Sequence, residues 1–237
     1  MHTLLDVRGS IPTTACVTEG RTHEVNWLDH LAFEANAIYI MDRGSLDFAR
    51  LHAIEPAQAF FVIRAKDRLH YCRLHSHPVA RATGLRSDQT ISLTGFYSAK
   101  AYPDKRRRVR FYDVEQERAL GVLTNHFGLP ALTVSRLYCL RWRVELFFKW
   151  IKQHLRSKAF YGTSPNAVRT HLWIALSVYV LVAIIRKQLT IEASLFAIPQ
   201  ILSVSAFDKT PLPQLLANAA LQTLTDDSHN QLLLFNQ

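Results

Sequence analysis

Residues 134–156, VSRLYCLRWRVELFFKWIKQHLR, decide how the chain is read. A helix advances about 100° per residue. On such a helix Tyr138, Arg141, Glu145 and Lys152 fall within a stripe roughly 60° wide. Leu137, Leu140, Val144, Phe147, Phe148, Ile151 and Leu155 fall on a neighbouring stripe about 100° wide. One face is therefore expected to enter a core, and the strip beside it carries a phenol, a guanidinium, a carboxylate and an ammonium in a row. A carboxylate flanked by cations suits a site that holds a metal ion beside a phosphate. The spacing also fits a plainer reading, because Glu145 and Lys149 form an i,i+4 pair of the kind that faces solvent on many helices.

Composition narrows the partner. The chain has 237 residues, room for one or two domains, and 49% of them are apolar, which excludes a disordered tail. It carries 28 Lys+Arg against 19 Asp+Glu, a formal charge of +9. An excess of that sign in a globular protein points to a polyanion, most simply nucleic acid. The three cysteines, Cys16, Cys72 and Cys139, are scattered and odd in number. They read as reduced thiols in a cytoplasmic compartment, neither a disulfide frame nor a zinc site. His75 and His77 would share one side of a strand but have no further ligands at metal spacing. No secretory signal opens the chain. The apolar run Leu172 to Ile185 is about fourteen residues, short of the roughly twenty that span a bilayer. A buried core helix is expected there, and no membrane partner.

The first residues alternate strand and helix signals in the order β-β-α-β-α-β. Strands are expected over His2 to Val7 and Ile11 to Val17, joined at Gly9-Ser10. A helix follows from Glu24 to Ala35 with Thr22 as its cap. Next come a strand from Ala37 to Met41 ending at Asp42, a helix from Leu46 to Ile54, and a strand from Phe60 to Arg64. Between residues 66 and 130 short strand-like pieces appear, punctuated by Gly84, Gly95, Pro103 and Gly121. The densest basic run, Lys105 to Arg110, lies among them and includes Arg107 and Arg108. It reads either as a charged sheet edge or as a contact to a nucleic-acid backbone. A turn at Tyr161 to Pro165 leads to helices at about Asn166 to Gln188 and Ala193 to Ser203. Asp42, closing an apolar strand before Arg43-Gly44, is either a turn-forming aspartate or a carboxylate on the rim of a sheet where a ligand reaches it.

The run Y-x-x-R-x-x-x-E, then six residues and K, formed by Tyr138, Arg141, Glu145 and Lys152, resembles the Y-R-E-K motif of insertion-sequence transposases in the group-four DDE family. The run MDRG at 41–44 is similar to that family's second catalytic aspartate and its neighbours, although Ser45 stands where an aromatic residue is usual. The resemblance extends from HTLLDVRG near the start to QLLLFN near the end. It implies an α/β fold: an RNase H-like mixed sheet with its first strand missing (residues 1–65), a β-rich insertion (66–130), and a helical C-terminal part (131–237). It also implies Asp42 and Glu145 as catalytic, metal-holding carboxylates for Mg2+ or Mn2+. Tyr138, Arg141, Lys152, Arg43, Lys149, Arg107 and Arg108 would then lie on DNA. In such chemistry two divalent ions about 4 Å apart activate the nucleophile and neutralise the leaving oxygen.

The partners implied are double-stranded DNA, both element terminal repeats and target, and a second copy of the chain when bound to DNA. The location implied is cytoplasmic, at the bacterial nucleoid. The family's first aspartate lies upstream of the part that matches His2. Asp6 is the only early acid, and its position is not a catalytic one in the family. The expectation is therefore an N-terminally truncated transposase that cleaves element ends and joins them to target DNA. The alternative is an inactive remnant that at most binds DNA.

Overall fold

The structure, a computed structural model, describes residues 1–18, 24–154, 164–191, 195, 197–205, 210–211 and 214. Thr22, Leu155, residues 161–163 of the expected turn and the QLLLFN stretch lie outside the described residues. The chain divides into two compact units, Met1–His2 with Cys16–Arg143, and Thr3–Ala15 with Val144–Gln237.

Strands β1 (His2–Asp6) and β2 (Ile11–Cys16) form a two-stranded sheet of their own. The first unit is built on a second sheet. Its strands are β3 (Ile38–Met41), β4 (Phe60–Arg64), β5 (Tyr71–His77), β6 (Leu85–Leu93), β7 (Arg106–Asp113) and β8 (Arg118–Thr124). They lie in the order β3-β4-β8-β7-β6-β5. β3 and β4 run parallel, and the remaining pairs are antiparallel. Helix α1 (Phe48–His52) stands in the β3–β4 connection and α2 (Phe96–Ala101) in the β6–β7 connection. This is the mixed α/β sheet that the sequence leads one to expect. β3 is a terminal strand of that sheet, with no strand on its outer side among the described residues.

One face of this sheet is covered by α3 (Ala131–Cys139). Val62, Leu85, Val109, Phe111, Leu120 and Val122 pack there against Val134 and Tyr138, one helical turn apart. The alternation of β7 explains the packing. Arg107, Val109, Phe111 and Asp113 are buried, while Arg110 and Tyr112 between them are exposed. Burying each large apolar side chain contributes about 1.5–3 kcal/mol.

The buried basic residue on that face needs its own explanation. Arg107 is paired with Asp88 through two parallel hydrogen bonds, Nε to Oδ1 at 2.9 Å and Nη2 to Oδ2 at 2.7 Å. Its Nη1 donates to the carbonyl oxygens of His126, Phe127 and Leu129, in the loop that leads into α3. β7 is hydrogen-bonded on both sides, to β6 and to β8, so the basic run is not a sheet edge.

Three further expectations are corrected. The helix expected over Glu24 to Ala35 is a tight 3-10 segment, Glu24–His30, and the one over Leu46 to Ile54 shrinks to α1. Helix α2, in the stretch between Gly95 and Pro103, was not anticipated. The long helix over residues 134–156 is broken. α3 ends at Cys139, and α4 (Trp142–His154) starts afresh. At the break Arg141 N bonds to Tyr138 O at 3.0 Å and Arg143 N to Leu140 O at 3.0 Å, three-residue bonds that tighten the chain into a 3-10 turn.

In the second unit α4 runs on from Val144, followed by α5 (Pro165–Gln188) and α6 (Ala197–Ser205). Ser164 caps α5 by accepting from Ala167 N, and Pro165 occupies its first turn. Phe147 and Trp150 meet Tyr179 edge-on, and the Trp150 indole donates to Leu195 O at 2.7 Å. Tyr179 donates to Ser10 O at 2.6 Å. The apolar run expected to be too short for a bilayer lies inside a 24-residue helix whose 18-residue window has a mean hydropathy of 1.9. By length and composition α5 could cross a membrane; a single helix of this kind is weak evidence for one. It is a core helix on one face only: Leu176, Tyr179 and Val182 are buried, whereas Trp173, Ile174 and Leu181 are exposed.

Two stability measurements test this packing. Asp88→Ala leaves the Arg107 guanidinium buried without its counter-ion and should lower the unfolding free energy by about 3–5 kcal/mol in a urea titration. Alkaline unfolding should also be pronounced. Burial raises the pKa of the Tyr102, Tyr138 and Tyr179 phenols, and pushes Tyr179 up to about 12. A phenol raised in the folded state favours folding fully below its unfolded value of about 10. That contribution is lost as pH rises from there through the folded value. Thermal unfolding at stepped pH should show melting temperature falling above about pH 10, and the fall should be smaller in Tyr179→Phe.

Candidate functional site

Asp42 follows the last residue of β3. Met41 is buried, and Asp42 is extended (φ −86°, ψ 170°), so the chain leaves the sheet at this carboxylate. A 3-10 turn, Arg43–Ser45, comes directly after, closed by Ser45 N to Asp42 O at 3.1 Å. The half-buried side chain receives one hydrogen bond, from the Tyr138 hydroxyl to Oδ1 at 3.3 Å. No hydrogen bond ends on Oδ2 among the described residues.

Tyr138 is 4% exposed, with its ring edge-on to Phe111 on β7. Burial first, and the Asp42 charge second, hold its phenol above the usual range; Arg141 and Arg64 pull the other way. The Arg141 guanidinium lies 5.9 Å from the Tyr138 ring centre. Two residues singled out by the Y-R-E-K spacing, Tyr138 and Arg141, are thus gathered at Asp42, a residue 96 positions earlier than Tyr138. The break after α3 places them so, because Arg141 sits in the turn instead of continuing a helical stripe.

Asp42 opens onto a cleft of about 650 Å3 lined also by Arg43, Gly44, Arg64, Lys66, Asp67 and Arg68. Four cations and two carboxylates face it, and Arg43 is paired to Asp67 at 3.2 Å. Arg64, Lys66 and Arg68 went unnoticed in the sequence. Their signal was the basic alternation R-A-K-D-R at the end of β4. A carboxylate with one oxygen fixed and cations around it fits a single-oxygen metal ligand beside a phosphate.

In the second unit Glu145 lies in the first turn of α4, where a negative side chain is favoured by the helix dipole. Glu145, Phe148, Lys149, Lys152 and Gln153 line a cleft of about 610 Å3. Lys149 and Lys152 follow Glu145 by one and two turns, so this cleft also sets ammonium groups beside one carboxylate. Trp150 is wholly buried and packs the core, while Trp142 is 45% exposed.

Of the basic residues expected on DNA, Arg107 is spent inside the fold on Asp88 and the loop carbonyls. Arg108, next to it, points to the opposite side of the sheet and stacks over Tyr71 at 4.9 Å. A possible metal group of three ligands among the described residues is His52, Glu55 and Asp104. Its carboxylates have another task. Arg106, 1% exposed, stacks on Tyr102 and lies 3.9 Å from Glu55, which also accepts the Tyr102 hydroxyl. Asp104 pairs with His52 at 3.3 Å. Burial lowers the Arg106 pKa to about 10, and the nearby acids oppose that shift. The cluster therefore reads as the counter-charge of a buried cation.

Comparison with known proteins gives the family. The profile of the transposase DDE domain family matches residues 1–181. The Sinorhizobium fredii protein named as transposase y4zB is 33% identical over 189 residues, 78% of this chain and 52% of that protein. The Geobacillus stearothermophilus protein named as a transposase for insertion sequence element IS5377 is 30% identical over 183 residues, 76% of this chain and 48% of that protein. The chain spans about half the length of these relatives.

The Tyr138–Asp42 bond yields a double-mutant test. Tyr138→Phe should cost about 1 kcal/mol of stability when Asp42 is present. In an Asp42→Ala background the same change should cost close to nothing in urea unfolding, because no acceptor remains.

Proposed function

Because the chain belongs to the transposase DDE domain family, we propose that it acts on duplex DNA at the ends of a mobile element, with Asp42 and Glu145 each supplying a carboxylate to divalent metal binding. Mg2+ or Mn2+ is the metal this reading takes, since both accept carboxylate oxygens together with water and phosphate. When bound, the metal would supply an activated nucleophile and a counter-charge for the leaving oxygen. The observation that carries the proposal is the hydrogen bond between Tyr138 and Asp42, which ties the Y-R-E-K segment to the MDRG aspartate.

The protein's own residues have separable tasks. Tyr138 fixes the rotation of the Asp42 carboxylate through Oδ1. Arg141 and Arg64 bear on the same phenol, and with Arg43, Lys66 and Arg68 they would meet phosphate oxygens at the Asp42 cleft; guanidinium suits two-point contact and ammonium a point charge. Lys149 and Lys152 would do the same beside Glu145. On this reading residues 1–65 and 131–237 make the catalytic core and 66–130 the insertion, which meets β4 through β8. The chain would work at the nucleoid as a homodimer holding two DNA ends.

End cleavage of a labelled terminal-repeat duplex in Mg2+ tests the proposal. Asp42→Asn and Glu145→Gln should each lower the cutting rate by about four orders of magnitude. Both should leave duplex binding in Ca2+ unchanged. If the unsubstituted chain holds the duplex in Mg2+ and leaves both strands intact, the remnant that only binds DNA is the correct description.

A further inference from the structure

We infer that the face of the β5–β6–β7 sheet turned away from α3 is a docking platform for the phosphate backbone of duplex DNA, formed by Arg73, Arg86, Arg108 and Arg110 with Tyr71 and Tyr112. The inference rests on the proposal that DNA is the substrate, and adds a surface that neither the motif residues nor the two clefts include.

Strand alternation sorts the residues. Arg107, Val109 and Phe111 point towards α3, so Arg108, Arg110 and Tyr112 point the other way. Pairing carries the same face to neighbouring strands. Arg108 stands opposite Gln89, Arg110 opposite Ser87, Tyr71 opposite Leu93 and Arg73 opposite Ile91. Arg108 lies over Tyr71 at 4.9 Å. Arg86, at the irregularity between Leu85 and Ser87, lies over Tyr112 at 5.8 Å. The pattern is four guanidiniums with two interleaved phenols.

Two observations separate this from an ordinary solvated surface. First, among the described residues none of the four cations is ion-paired to an acid. Asp88 and Asp113 occupy the alternate positions that face α3, and Asp88 is committed to Arg107, while Glu55 and Asp104 are taken up by Arg106, Tyr102 and His52. A surface kept soluble by charge mixes both signs, whereas this one gathers a single sign; burial, and after it the charge of Arg110, lower the pKa of Arg108, and Tyr71 opposes them. Nε of Arg108 is buried with no hydrogen-bond partner. Secondly, the floor is low. Gly121 of β8 lies opposite Arg110, and a Cβ built there would sit 3.7 Å from Arg110 Cγ and 3.8 Å from Arg108 Nη2. At Gly121 the aliphatic stem of Arg110 and one guanidinium nitrogen of Arg108 thus pass over a strand position that has no side chain. Alternate residues of a strand are about 6.6–6.8 Å apart, a spacing suited to successive backbone phosphates. Such contacts carry no sequence information and are read through salt dependence.

Fluorescence anisotropy with a labelled terminal-repeat duplex, without divalent metal and over a salt series, tests the platform. Arg108→Ala with Arg110→Ala, and separately Arg73→Ala with Arg86→Ala, should each weaken binding and flatten the log affinity against log salt slope by about 2. Both residues of the second pair are exposed, so it decides the matter should the first pair disturb folding. Arg108→Lys with Arg110→Lys should keep the slope. Arg118→Ala, at the strand position opposite Asp113, should leave it unchanged. Wild-type slopes in both alanine pairs, or losses confined to single-stranded RNA, overturn the platform. Failure of the unsubstituted chain to hold any duplex overturns the DNA reading itself. Duplex bound through the platform but left uncut in Mg2+ counts against cleavage alone.

Discussion

The pairing of Arg107 with Asp88 carries consequences far beyond its two side chains. It joins β7 to β6 inside a layer that is otherwise apolar, and the remaining guanidinium nitrogen collects three carbonyls from the loop before Pro130. That loop sets where α3 begins, and α3 delivers Tyr138 to Asp42. A buried ion pair is weak evidence of net stability, because desolvation offsets much of its attraction. Its value here is geometric. Two parallel bonds and three carbonyl contacts admit one arrangement of strand and loop, which an apolar substitute would leave looser.

The break between α3 and α4 divides the Y-R-E-K segment between two chemical settings. Tyr138 and Arg141 are set by the first unit and its sheet, and Glu145 and Lys152 by the helices of the second. Read as one uninterrupted helix, these residues form a stripe on a surface. In the structure Tyr138 is core by its ring and functional only at its hydroxyl. Phenols are suited to that double role, having an apolar body and one polar tip.

Much of the sheet was legible in the sequence because its strands are short apolar runs with clear punctuation. β3 and β4 fall within a residue or so of their expected limits, and the strand end at Asp42 was visible for the same reason. The break at Leu140–Arg141 was not, since neither glycine nor proline marks it and the apolar period continues across it. Helix α2 was hidden between two turn-forming residues. The basic run was the least legible: its charges are alike in sequence, and only strand pairing shows that Arg107 serves the interior while Arg108 does not. Likewise, Leu172 to Ile185 was legible as helix, but the sequence did not show that only one side of it would be covered.

The alternation of β7 makes this strand unequally tolerant of genetic change. Trading one cation for another at Arg108 or Arg110 alters little of the interior. Removing a single codon anywhere between Lys105 and Val109 would invert the parity of what remains, driving the outward guanidiniums beneath α3 and exporting the partner of Asp88. Descendant copies of this gene should therefore accumulate arginine-to-lysine exchanges at positions 108 and 110 more freely than at 106 and 107, while in-frame losses of one residue there should mark copies that no longer fold.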